Sequence, residues 1–311
     1  MKSHRVIVNP VSGRGAGKAA IPAMRAFLER QDIDYDLTLT ERPWHAAELA
    51  QEAATAGYQV VVGVGGDGTA NELINGLMLA RQAGAEIPAL AMVGVGRGND
   101  FAFGMGMPVG LESGLKALTE GRRRRVDVGR AMGGDYPQGR YFGNGVGIGF
   151  DAVVGFEAVK LTYLSGFMSY LVAVLKTVFL YYRAPLLQIE YDGESLTLPA
   201  LMVSIMNGRR MGGGFLMAPH ASPQDGLLDL CIASQVSRMR IFAMIPHFLR
   251  GTQETQKPIH TARARRVTVS ALQGVLPAHA DGETLCERGQ SLSIELLPQQ
   301  LEVICQASEG D

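Results

Sequence analysis

Val64-Gly65-Gly66-Asp67-Gly68-Thr69-Ala70-Asn71-Glu72 combines glycines with a carboxylate, a hydroxyl and an amide where a buried strand gives way to a helix. Glycines let backbone N–H groups come up against phosphate oxygens, and a helix start favours an anion there. Gly63, Gly65 and Gly68 also fit the G-x-G-x-x-G pattern of dinucleotide binding. That chemistry asks for an acidic residue ending the next strand to hold a ribose, yet residues 89–93 run into Gly94-Val95-Gly96. Asp67 is a second objection, because a carboxylate inside a phosphate cradle repels the ligand unless a cation or a transferring group lies between them. The pattern therefore points to a metal-bound nucleotide and phosphoryl transfer. G-x-x-x-x-G-K-[ST] is absent, which excludes a P-loop enzyme. Two more glycine loops are expected at the same sheet edge. Asn9-Pro10-Val11-Ser12-Gly13-Arg14-Gly15 follows the first strand, and Gly94-Val95-Gly96-Arg97-Gly98-Asn99-Asp100-Phe101-Ala102 follows the fourth. In the latter, Asn99-Asp100 goes beyond what turn chemistry asks.

The second half of the chain carries carboxylates beside glycines. Asp281-Gly282-Glu283 and Asp225-Gly226 both suit plain turns, and Asp127 suits a cap at a domain linker. Met206-Asn207-Gly208-Arg209-Arg210-Met211-Gly212-Gly213-Gly214-Phe215 reads as a flexible loop, either a long hairpin connection or a mobile rim. His45 reads as a helix start, and no His/Cys spacing fits a zinc site.

Elements that alternate strand and helix must hold the first set of loops. Strands are predicted at 5–8, 35–39, 59–62 and 89–93, with helices at 18–30, 45–56 and 71–82, the signature of a doubly wound parallel sheet. The pattern changes near Val126 to short alternating stretches at 141–145, 187–191, 196–205, 227–232, 266–270, 291–296 and 301–305. These predict an antiparallel β-sandwich domain with helical insertions at 163–182 and 238–249. The division is placed at Gly129, giving domains 1–129 and 130–311, with the extreme C-terminus allowed to pack back on the first domain and the active site expected between the two.

A chain of 311 residues has room for two domains of about 150 residues. With 29 Lys+Arg against 30 Asp+Glu the net charge is -1, which argues against nucleic acid as a partner. Residues 122–125, four arginines, form one basic run, read as a solvated helix end or linker that could attract an anionic membrane surface. Cys231, Cys286 and Cys305 are widely spaced and odd in number, which suits a reducing compartment. The N-terminus lacks the apolar core of a signal peptide. In the most apolar stretch, 161–182, Lys176 sits mid-segment, so a buried or interfacial helix is expected rather than a span. Cytoplasmic residence follows as the expectation.

Taken together, the motifs resemble the diacylglycerol kinase catalytic family, specifically its bacterial lipid kinases (YegS-like). Asn9-Pro10-x-Ser12-Gly13, the Gly65–Glu72 loop, Gly98-Asn99-Asp100-Phe101-Ala102, Val126-Asp127-Val128-Gly129, Phe142-x-Asn144, Pro219 before Asp225-Gly226-x-Leu228-Asp229-Leu230, and Asp281-Gly282-Glu283 stand in the family's order over nearly the whole chain. The G-G-D-G-T loop is shared with NAD kinases and phosphofructokinases, so the resemblance implies a Rossmann-like, NAD kinase-like first domain. It implies an ATP site at Asn9, Ser12, Thr40, Gly65, Gly66, Asp67, Gly68, Thr69 and Asn71. It implies that Asp67, Asp100 and Asp127 stand around Mg²⁺-ATP, that Glu283 is the proton acceptor, and that Asp281 lies beside it. It also implies a separate structural Mg²⁺ or Ca²⁺ at Asp225 with the carbonyls of Ser222 and Leu227. Arg97 departs from the family's small hydroxyl and could pair with phosphate directly. The expected reaction is γ-phosphoryl transfer from ATP to a lipid hydroxyl, such as that of diacylglycerol or phosphatidylglycerol. The protein would touch the inner membrane face peripherally, with no obligatory protein partner. The alternatives are an NAD kinase-type phosphotransferase and a non-catalytic lipid- or nucleotide-binding protein.

Overall fold

Valines crowd the segments 4–8 and 60–65, and their stiff branched side chains suit strands buried on both faces. The computed structural model describes residues 3–96, 98–161, 167–181 and 183–306. Arg97, and residues 163–166 and 182 of the first expected insertion, lie outside the described residues.

The first unit comprises Met1–Val126 and Gln299–Asp311. In it, β1 (His4–Val8) leads through α1 (Ser12–Ala19) and α2 (Ile21–Arg30) to β2 (Tyr35–Leu39), α3 (His45–Thr55), β3 (Val60–Gly65), α4 (Asp67–Gln82), β4 (Ala89–Gly94), α5 (Asp100–Gly104) and α6 (Leu111–Glu120). The strands lie parallel in the order β2, β1, β3, β4. After β2 the chain returns to the other side of β1 as β3, and at such a switch point an open α/β sheet leaves a crevice for ligands. Val6, Val8, Val62, Val64, Ala91 and Val93 pack with Met24, Leu28 and Leu115. On the opposite face, Leu73 of α4 sits against Gly63.

The second unit, Asp127–Pro298, takes up β5 (Arg122–Gly133) partway and continues through β6 (Tyr136–Phe142), β7 (Gly145–Gly149), α7 (Phe150–Lys160) and α8 (Phe167–Leu180). Then come β8 (Leu186–Tyr191), β9 (Glu194–Met206), β10 (Leu228–Ser234), α9 (Arg238–Arg250), β11 (Ile259–Ala264), β12 (Arg266–Gln273), β13 (Leu276–Ala280), β14 (Glu283–Gly289) and β15 (Ser291–Cys305). Its ladders are antiparallel: β14 pairs β13, β13 pairs β7, β7 pairs β9, and β10 lies between β9 and β11. A further run joins β9 to β8, β8 to β12 and β12 to β15. β9 belongs to both runs, pairing β8 up to Pro199 and β7 and β10 after it. Pro199 has no N–H to give a ladder, which suits a strand changing partners. Val203 and Ile205 face the sandwich core with Ile148, Leu230 and Val267. Met202 and Met206 face a second cluster with Phe150, Val178, Phe215 and Ile241 from the helical layer.

Several expectations are corrected. Residues 122–125 are not a helix end or a linker but the start of β5, where Arg123 pairs Glu302 at 3.0 Å and Arg124 donates to the Met105 carbonyl. Charge concealed this strand, whose Arg122, Arg123 and Arg125 are exposed and whose Arg124 is half-buried. Residue 129 falls inside β5, and the units divide at Val126. The two stretches 291–296 and 301–305 are one strand, β15, whose Val303 lies parallel to Leu90 of β4 within the first unit. α4 starts at Asp67, four residues before the predicted 71, because Gly66 already supplies an extended cap.

No helix among the described residues is long and apolar enough to cross a membrane. Lys176 has a structural partner: its ammonium pairs with the buried Glu157 of α7, which Lys160 also reaches at 2.6 Å. These two hydrogen bonds, Lys160 first, hold the Glu157 carboxyl below the usual carboxylate range. A depressed carboxylate stabilises fully above its unfolded pKa and loses that contribution as pH falls through the folded one. Glu157→Gln is therefore expected to lower the melting temperature by about 2–4 °C near neutral pH, roughly 1 kcal/mol. The difference should shrink as pH falls below the ordinary carboxylate range and through the lowered folded pKa. Thermal melts over that range check it, and a gap that widens in acid would refute it.

Candidate functional site

At the ends of β1, β3 and β4 the first unit builds a cradle from the three glycine loops. After Ser12 the chain does not continue as a helix. Gly13, Arg14 and Gly15 adopt φ of 59°, 60° and 96°, a left-handed turn inside the nominal α1. Asn9 holds that turn and ties it to the next loop: its Oδ1 accepts the Val11 N–H at 3.2 Å and its Nδ2 donates to Thr69 Oγ1 at 3.0 Å. Gly66 precedes α4 in extended backbone with no side-chain cap, so the first-turn amides and the positive end of the helix dipole face the cradle. The second and third loops nearly touch, since a Cβ on Gly96 would lie 2.3 Å from the Gly66 Cα.

The third loop closes on itself through Asn99, at φ 53°, whose Oδ1 accepts the Gly96 N–H and whose Nδ2 donates to the Gly96 carbonyl, both at 3.1 Å. Asn99 is thus accounted for by turn chemistry after all. Asp100 is not. Its Oδ2 and the Oδ2 of Asp67 converge beside Gly98, where a Cβ would meet them at 3.4 and 2.8 Å. The other oxygen of Asp67 accepts the Phe101 N–H at 3.0 Å, which fixes that carboxylate at the start of α5. Thr40 follows β2 at the same edge, its N–H donated to the Val8 carbonyl at 2.9 Å. Asn71 is wholly buried against Asn75, and Glu72 caps α3 by accepting the Ala46 N–H at 3.0 Å. Two carboxylate oxygens at one glycine suit a divalent cation that takes its remaining ligands from phosphate and water.

In the second unit Asp281 and Asp127 are joined in one polar network through Asn207 and the β6–β7 connection, with Glu283 part-exposed beside it. Asp281 and Gly282, at φ of 50° and 87°, form the two-residue turn between β13 and β14. Asp281 also reaches across to the β6–β7 connection. Its Oδ2 accepts the Gly143 N–H at 2.7 Å, and its Oδ1 accepts those of Asn144 and Gly145 at 2.9 Å. Asn207, absent from the sequence-based site, donates to the Gly143 carbonyl at 2.7 Å and to that of Asp127 at 3.0 Å. Asp127 is buried and its carboxylate accepts the Gly226 N–H at 2.9 Å, so within its unit it pins the Asp225-Gly226 turn. Glu283 follows the hairpin turn with its side chain 44% exposed and the buried Arg140 guanidinium at 3.7 Å. Arg140 is itself held by Tyr136 Oη at 2.7 Å. The loop expected to be flexible is closed by mutual backbone hydrogen bonds between Met211 and Phe215.

Asp225 has an arginine where a structural cation was expected. Arg263 pairs its guanidinium with Asp225 and lies 3.6 Å from Asp229. Asp225 Oδ1 accepts the Leu227 N–H at 3.0 Å, and the Ser222 carbonyl accepts the Asp225 N–H at 3.5 Å. Burial pushes the Asp229 carboxyl up against the pull of Arg263. Among the described residues no group of three or more His, Cys, Asp or Glu could hold a metal. A second ion at Asp225 would have to compete with the Arg263 guanidinium for the one carboxylate of its expected donor set.

The diacylglycerol kinase catalytic domain family matches residues 3–131, and the YegS C-terminal NAD kinase beta sandwich-like domain family matches residues 144–305. A Mycobacterium tuberculosis H37Rv protein named "Diacylglycerol kinase" is 28% identical over 96% of this chain and 93% of its own length. A Chromohalobacter salexigens protein named "Probable lipid kinase YegS-like" is 32% identical over 76% and 73%. A crystal structure described as "a putative diacylglycerol kinase from Bacillus anthracis str. Sterne" has a TM-score of 0.76 at 25% identity, covering 98% of this chain and 97% of that one. Yeast NADH kinase shares the fold alone, at a TM-score of 0.55 and 10% identity over 100% and 84%.

Gly66→Val would drive a branched side chain into the Gly96 backbone, so the variant should fold, by circular dichroism, yet lose ATP binding in calorimetry. Unchanged affinity would take this loop out of the nucleotide site. Asp225→Ala and Arg263→Met should each lower the melting temperature by about 2–4 °C, the effect of roughly 1 kcal/mol on a unit of this size. Added Mg²⁺ or EDTA, without nucleotide, should leave the wild-type value unmoved. A Mg²⁺-dependent rise that Asp225→Ala abolishes would return the ion to Asp225.

Proposed function

The chain belongs to the diacylglycerol kinase and YegS-like lipid kinase family, and from that premise we propose that it transfers the γ-phosphoryl group of ATP to the hydroxyl of a lipid, diacylglycerol or phosphatidylglycerol being the leading class. The observation that carries the donor side is the convergence of Asp67 and Asp100 beside Gly98 in a cradle of glycine backbone. Backbone N–H groups at the start of α4 hold the phosphates, with Asn9 and Thr69 fixing the loops around them. Asp67 and Asp100 would hold Mg²⁺, which would supply charge neutralisation at the phosphates. Asp127 acts in this reading as the support for the Gly226 turn. No second ion is assigned to Ser222, Asp225 and Leu227, where Arg263 supplies the positive charge.

Glu283 accepts the proton of the lipid hydroxyl as its oxygen bonds to the γ-phosphorus and the bond to the leaving ADP breaks. Its exposure and its place after a rigid turn support that role. Both oxygens of Asp281 already accept backbone N–H groups, which supports an anchoring role for it. A two-tailed acceptor sits in a lipid surface, and the second unit offers apolar side chains to one: Val159, Met168, Phe179 and Met239 are 74%, 51%, 65% and 76% exposed on α7, α8 and α9. Arg238 lies over the Phe179 ring at 5.8 Å, a cation at that apolar rim suited to anionic headgroups.

Labelled ATP, Mg²⁺ and a panel of lipids in mixed micelles test the reading, with NAD as the soluble control. The label should pass to a lipid at a rate that follows its surface fraction. Glu283→Gln should bind ATP normally and lose about 10²–10⁴-fold in turnover. Label on NAD, or no turnover with any acceptor, would replace the lipid kinase by one of the two alternatives. Near-normal turnover in the variant would move the base elsewhere.

A further inference from the structure

His279 stands two residues before the Asp281–Gly282 turn, in β13, and is 3% exposed. Its Nδ1 accepts the Gly282 N–H at 3.2 Å. With Nδ1 accepting, the ring proton sits on Nε2, and that atom faces Asp151 Oδ1 at 3.9 Å. Asp151, in the first turn of α7, is fixed in turn by Ser204, whose hydroxyl donates to its Oδ2 at 2.7 Å. Ser204 is fully buried on β9, on the face that Met202 and Met206 share. The imidazole passes over Gly147, its register partner in β7, where a Cβ would lie 2.6 Å from both Nε2 and an Asp151 oxygen. The ring therefore has one place to lie. Burial, and after it Asp151, push the nearby Cys231 thiol up to about 12.

Asp281 anchors one end of the turn to the β6–β7 connection, and His279 anchors the middle of it from the other side. Glu283 is the next residue. We propose that His279, oriented by Asp151 and Ser204, is a positioning residue that sets the direction of Glu283 through the Gly282 amide, an inference that rests on Glu283 being the proton acceptor. Holding a reacting group to within a fraction of an ångström decides its rate, and a misplacement of about 1 Å can cost about 10²-fold.

Two isosteres separate this role from mere packing. The amide oxygen of His279→Asn reaches the place of Nδ1, whereas His279→Gln puts its amide where Nε2 was. His279→Leu removes both. Turnover should fall about 10-fold or more in the Leu and Gln variants with KM for ATP unchanged, and His279→Asn should recover it to within about 3-fold. Amide exchange at the 281–283 turn should quicken in the Leu and Gln variants and stay protected in the Asn variant, and this readout does not depend on chemistry. In a Glu283→Gln background, His279→Leu should cost nothing further. Equal turnover and equal exchange across the Asn, Gln and Leu variants would overturn the proposal. If Glu283→Gln alone stays active, the base assignment fails, and the exchange measurement still decides whether His279 holds the turn.

Discussion

One carboxylate fixes the geometry on which the proposed chemistry depends. Asp281 accepts three consecutive backbone N–H groups, from Gly143 to Gly145, while its own N–H returns to the Gly145 carbonyl. A turn of two residues is loose by itself, and charge-assisted hydrogen bonds of this kind are roughly twice as strong as neutral ones. The bonds make the β13–β14 turn part of the β6–β7 connection. Asn207 and Asp127 extend the arrangement to Gly143 and Gly226, so five separate places in the chain are tied by polar side chains. Buried polar groups are expensive unless satisfied, and satisfied ones specify a single arrangement.

The first unit solves a different problem with different means. There the aim is to leave polar atoms pointing outward at one edge, and glycine does so by removing side chains from the approach. The contact of Gly66 with Gly96 draws two loops together, and Asn9 and Asn99 supply the local hydrogen bonds that keep such loops from collapsing. Asp67 is shared between functions: one oxygen serves the α5 amide and the other faces the cradle beside Asp100. The acid that looks out of place in a phosphate loop is thereby prevented from swinging aside.

The strand–helix alternation and the glycine loops were legible in the sequence because each rests on local rules, period and permitted backbone angles. The Asp-Gly pairs were only partly legible. A turn and an anchor use the same two residues, and which of them a carboxylate serves depends on chain more than a hundred positions away, as with Asp281 and Gly143. Arg263 stands 38 positions from Asp225 and meets it only through the β10–β11 register, which no local pattern reveals. β5 was hidden by its arginines, and β11 and β14 by polar residues that break the alternation, Ile259-His260-Thr261-Ala262-Arg263-Ala264 being the clearest case. Asn207 carried a signal, an Asn-Gly pair straight after an apolar strand, but that signal reads first as a turn.

The return of β15 to β4 bears on the order in which the chain is made. Val303 takes its place beside Leu90 only after some two hundred intervening residues have been synthesised. Until then the outer edge of β4 is a row of unpaired amides and carbonyls, and the whole second unit emerges from the ribosome while that row is exposed. Unpaired edges recruit foreign strands. At about 5–20 residues per second the nascent first unit keeps this edge open for roughly 10–40 s, and chaperone holding over that interval would act on it.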